Sequence, residues 1–76
     1  MDEAIIYIID VVFDVYEGAA ESYVFLSREE ADKKFDDLVR EHFEKKSVIT
    51  DCLHMYAAKP GDDYTMLKPI RAVGKS

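Results

Sequence analysis

The stretch Ala4-Ile5-Ile6-Tyr7-Ile8-Ile9-Asp10-Val11-Val12-Phe13-Asp14-Val15-Tyr16 decides the fold of this chain. Acids at Asp10, Asp14, Glu17 and Glu21 recur at spacings of four, three and four, as on one face of a helix. Against that, Ile5, Ile6, Ile8, Ile9, Val11, Val12 and Val15 are β-branched, which costs side-chain freedom in a helix and suits a pleated sheet. We read a strand. With a period of two, Ile5, Tyr7, Ile9, Val11, Phe13 and Val15 form one wholly apolar face. Ile6, Ile8, Asp10, Val12, Asp14 and Tyr16 form another that begins apolar and turns acidic.

Working outward, Glu17–Ser22 reads as a short loop and Tyr23–Leu26 as the return strand of a hairpin. Ser27-Arg28-Glu29-Glu30 is a capping box: the serine oxygen accepts from the amide three residues on, and Glu30 reaches back. A helix therefore starts at Arg28 and runs to Lys46 or Ser47. It buries the stripe Ala31, Phe35, Leu38, Val39, His42 and Phe43. Glu29/Lys33, Glu30/Lys34, Asp36/Arg40 and Glu41/Lys45 are expected as supporting pairs. Val48–Ala58 alternates as a third strand, Lys59-Pro60-Gly61-Asp62-Asp63 suits a type II turn, and Tyr64–Val73 reads as a final strand. Pro69 cannot donate to a ladder, so that strand is an edge or ends early. Gly74-Lys75-Ser76 is expected to fray.

The order ββαββ implies an α+β domain over residues 1–76: a four-stranded, largely antiparallel sheet with one helix on one face. Val11, Phe13, Val15, Phe25, Phe35, Leu38, Val39 and Phe43 are its expected core. The opposite sheet face is left uncovered, with Tyr16, Tyr23, Tyr56 and Tyr64 as candidates to line it, either as a contact surface or as cross-strand filling.

The chain has 76 residues, 49% apolar and 34% charged, enough for one core and no more. So small a core gains from a partner or a second copy, which makes a homodimer possible. The net charge is −6. Residues 1–32 hold nine acids and one base, whereas residues 33–76 hold seven acids and nine bases. An acidic surface repels phosphate, so no direct nucleic-acid contact is expected. The single cysteine, the lack of a signal-peptide pattern at the start and the absence of an apolar run of spanning length point to a reducing cytosol, with no membrane contact.

Cys52 and His54 lie two apart on one strand, a spacing that presents two ligands to a metal or a thiol to an imidazole. Further ligands and an oxyanion loop are lacking, and Cys52 reads as a small core residue. Asp10 and Asp14 lie about 13 Å apart by strand rise, too far for paired-carboxylate hydrolysis with retention. Asp62-Asp63 are ordinary solvated turn acids. No Walker or dinucleotide glycine pattern occurs. The expectation is a non-catalytic chain without metal or cofactor.

Phe25-Leu26 followed by Ser27-Arg28-Glu29-Glu30-Ala31-Asp32-Lys33-Lys34-Phe35, after an apolar strand, resembles the small acidic accessory proteins of bacteriophages and mobile elements, anti-CRISPR proteins among them. The resemblance spans residues 4–46 and transfers no functional residue. It implies a stoichiometric inhibitor acting in the bacterial cytosol, either by nucleic-acid mimicry or by blocking a surface or inducing dimers. The basic tail departs from uniform mimicry. The acidic set Asp10, Asp14, Glu17, Glu21, Glu29 and Glu30, with Tyr16 and Tyr23, is accordingly expected to dock on a basic surface of another protein. The alternative is a structural or homo-oligomeric accessory protein whose acidity serves solubility.

Overall fold

The structure is a computed structural model that describes residues 4–14, 16–46 and 49–74. Strand β1 (Ile6–Asp14) is confirmed by its pairing on both sides. It lies between β2 (Ala19–Phe25) and β3 (Cys52–Ala58), and β4 (Arg71–Gly74) completes the order β2-β1-β3-β4 with every neighbour antiparallel. Helix α1 (Arg28–Val39) crosses one face and continues as a π-helical turn, Arg40–Glu44.

The odd-numbered face of β1 meets the helix, as its apolar pattern requires. Ile9, Val11, Ala31, Phe35, Leu38, Leu53 and Met55 form the buried cluster, against which Phe13, Phe25, Val39 and Phe43 are half-buried. Val15, an expected core member, lies outside the described residues. Ser27 accepts from the Glu30 amide at 3.4 Å, the forward half of the capping box. Lys46, at φ 54°, stops the helical segment by turning left-handed.

Three boundaries differ from the sequence reading. Strand β2 begins at Ala19, not Tyr23, because Gly18 at φ 73° and the Asp14 carboxylate, accepting from the Tyr16 and Glu17 amides, close the turn early. Pairing with β1 then carries the weak strand formers Ala19–Ser22 into the sheet. The third strand starts at Cys52; Val48 lies outside the described residues. The expected strand Tyr64–Val73 is only Arg71–Gly74: Asp63 caps a 3-10 turn at Tyr64–Met66, and Pro69 delays pairing until Ile70 donates to Met55. Gly74, expected to fray, instead pairs with Cys52 at the end of β4, while Lys75 and Ser76 lie outside the described residues. The Lys59–Asp62 turn closes as expected, with Gly61 at φ 92°.

The even-numbered sheet face is not fully open either. Tyr64, carried by the connection from β3 to β4, packs its ring tilted by 56° against Tyr56, with ring centres 5.2 Å apart, and donates to Asp10 at 3.3 Å. Tyr56, Ile8 and Cys52 are consequently buried.

Candidate protein-docking surface

Strand register decides where the acids lie. Phe25 pairs with Tyr7, so the helix start, with Glu29 and Glu30, stands at one end of the sheet. Asp14, Tyr16 and Glu17 stand at the hairpin end, about 20 Å away by strand rise. At that end the helical segment finishes, with the His42 ring stacked on Phe13. The expected single acidic face is therefore dispersed, because a helix that follows β2 must begin where β2 finishes: Glu29 and Glu30 stand at one end, Asp14 and Glu17 at the other, and Asp10 and Glu21 lie between them on opposite faces of the sheet.

The acids also differ in what they already do. Asp10 is half-buried on the even face, where its carboxylate accepts from Ser22 at 2.8 Å and from Tyr64. Asp14 is held by the turn amides. Asp32 and Asp36 are both taken by Arg71, at 3.2 and 2.8 Å, and Arg28 also bonds Asp32. Arg71 lies 4.3 Å over the Phe35 ring. Burial alone would lower its pKa, but the bonds to Asp36 and Asp32 outweigh burial and raise it. Glu17, Glu21, Glu29 and Glu30 are exposed and make no ion pair with the described residues.

Several expected helix pairs are replaced. Asp36 bonds Arg71 rather than Arg40, which instead bonds Asp37 at 3.2 Å. Lys34 sits 4.8 Å over the Tyr23 ring rather than on Glu30. Tyr23 thus belongs to the helix side of the sheet and not to the open face. Tyr16 is 98% exposed at the hairpin tip. A shallow groove lined by Ser27, Glu29, Glu30, Asp32, Lys33 and Asp36 runs along the outer side of α1. Arg71 and Lys34 were missed as site residues because their partners are remote in sequence.

The Cys52–His54 pair is also placed. Cys52 is 4% exposed, and burial, then Asp51 and Asp10, push its thiol above its usual range. His54 sits across from Asp10 in the ladder, with its ring edge-on to Tyr56. Among the described residues no group of three or more His, Cys, Asp or Glu is placed to hold a metal. His42 bonds Thr50 through Nδ1 at 2.6 Å, beside a cavity of about 200 Å³ lined by Phe43, Lys46 and Ile49. No helix among the described residues is long and apolar enough to cross a membrane. A comparison with known proteins finds no family model, curated protein or solved structure with significant similarity to the chain.

Proposed function

We propose that this chain is a non-catalytic protein-binding domain that docks carboxylates on a basic surface of a nucleic-acid-handling bacterial complex, in the manner of a phage-type, anti-CRISPR-like inhibitor. The observation that carries the reading is the division among the acids. Arg71 and Arg28 pair with Asp32 and Asp36, whereas Glu29 and Glu30 beside them, and Glu17 at the far end, stay exposed and make no ion pair among the described residues. Exposed charge of one sign steers association with a surface of the other sign. A buried thiol with a raised pKa supplies little thiolate, which disfavours nucleophilic chemistry at Cys52.

The test compares the immobilised chain with a Glu17→Gln/Glu29→Gln/Glu30→Gln variant as baits for bacterial lysate. Asp14 is spared because it builds the turn, and Gln keeps side-chain shape. The reading expects a partner with a basic surface that the wild-type chain retains, the variant loses and added salt releases. Equal retention by both baits, indifferent to salt, would move the weight to the accessory-protein reading, in which acidity serves solubility.

A further inference from the structure

The two edges of the sheet are treated differently. At one edge β4 is four residues long and is preceded by Lys68 and Pro69, the devices that discourage strand addition. At the other edge β2 runs for seven residues without proline, glycine or lysine, and among the described residues β1 is its only strand partner. Its outer backbone N–H and C=O groups face no neighbouring strand in the sheet. Val24, within β2, is 61% exposed.

We infer that β2 pairs antiparallel with β2 of a second copy of this chain, across a twofold axis at Ser22, joining two sheets into one of eight strands. Ser22 is the midpoint of Ala19–Phe25, so this register overlaps the whole strand. A twofold normal to the sheet pairs residues of the same face, so helices and core sides match.

Charge selects the register. Glu21 is the only charged residue of β2 and lies on the helix side, across from Val11. Shifting the axis to residue 21 would set the two Glu21 carboxylates directly opposite each other, which is unfavourable. With the axis at Ser22, Glu21 faces Tyr23 of the second copy, and the Tyr23 ring carries Lys34 above it at 4.8 Å. Each Glu21 thereby approaches the ammonium that the second copy holds over its own Tyr23. On the other face, exposed Val24 covers Ala20 of the second copy, a large side chain against a small one. The inference uses Glu21 and Lys34 and is independent of Glu17, Glu29 and Glu30, so either reading can fail without the other.

Sedimentation equilibrium over a concentration series reaching the millimolar range should show a monomer–dimer equilibrium. Glu21→Lys or Lys34→Glu should each weaken the dimer roughly tenfold, since two exposed pairs turn repulsive, and the double swap should restore it. Register is read by cysteine cross-linking under mild oxidation. Opposite Cα atoms lie about 4.5–5.5 Å apart, within disulfide reach, so Ser22→Cys should give a covalent dimer. Ala20→Cys should not, because its two copies would stand roughly 13 Å apart. Cys52 is buried, so the wild-type chain is the control. A chain monomeric throughout, a dimer unmoved by either charge change, or cross-linking at residue 20 in preference to 22 overturns the proposal.

Discussion

Replacing Arg71 with alanine should destabilise the domain by about 2 kcal/mol, and the structure says where the loss comes from. The guanidinium stacks 4.3 Å over Phe35, the fully buried ring at the centre of the core, a contact worth about 0.5–1 kcal/mol at a partly exposed site. Its bonds to Asp32 and Asp36 join side chains that keep 37% and 59% of their exposure, so solvent screening holds the two together to about 1 kcal/mol. The aliphatic stem covers apolar surface and adds about 0.5 kcal/mol. In a chain of this size the sum lowers the thermal midpoint by roughly 8–16 °C. Arg71→Lys keeps the charge but not the planar fork that spans two carboxylates while stacking, and should lose about half as much. Urea unfolding of the wild type, Arg71→Ala, Arg71→Lys and Asp36→Asn, with the Arg71→Ala/Asp36→Asn double variant, closes the cycle. An Arg71→Ala loss below about 0.5 kcal/mol, the range of ordinary surface substitutions, would refute the reasoning.

Gly74→Ala should be far worse than Gly18→Ala. Both positions have positive φ, but a β-carbon at Gly74 would run into the Asp51 carbonyl and lie 3.1 Å from Phe43, whereas Gly18 has open space around it. Thermal melts should show a loss of about 1 kcal/mol at Gly18 and at least twice that at Gly74. Tyr64→Phe removes the hydroxyl that ties the 59–70 connection to Asp10, and hydrogen exchange should quicken for the amides of Met66 and Leu67 while β1 and β3 stay protected. Stability should also decline at alkaline pH. Unfolded Cys52 loses its proton near its ordinary value of 9.0 while the folded thiol, raised by burial, keeps it; the folded state then binds more protons, so unfolding becomes easier as pH rises through that window. Tyr56, raised by burial and Asp10, adds the same sign above 10.0, and denaturant midpoints of Cys52→Ala should fall less steeply just above pH 9.0.

The sequence made the strand β1, the start of the helix and the two-sided pattern of the sheet legible, since each rests on local chemistry: β-branching, a serine cap and alternation. Phe35 and Leu38 were readable as core from helical spacing alone. Leu53 and Met55 were not singled out, because a strand carrying Cys52, His54 and Tyr56 on its other face shows apolar residues on both faces and hides which side is deeper. The extent of β2 was hidden for another reason. Ala19–Ser22 has little strand propensity, and only the tight turn at Gly18 and the ladder to β1 make it a strand. The acids were visible as a set, but not their dispersal over both ends and both faces of the sheet, which depends on register. Nor did spacing reveal that Arg71, 35 residues after Asp36, pairs with the carboxylates in the middle of the helix.

The docking account is tested most directly by the association rate constant between this chain and the protein it captures, measured across ionic strength for the wild type and for Glu17→Gln/Glu29→Gln/Glu30→Gln. Unpaired exposed carboxylates act on encounter more than on residence. The account predicts a wild-type rate that falls roughly tenfold or more as salt rises, a slower and flatter rate for the variant, and similar dissociation rates for both. Association that is equally fast for the two proteins and insensitive to salt would contradict it.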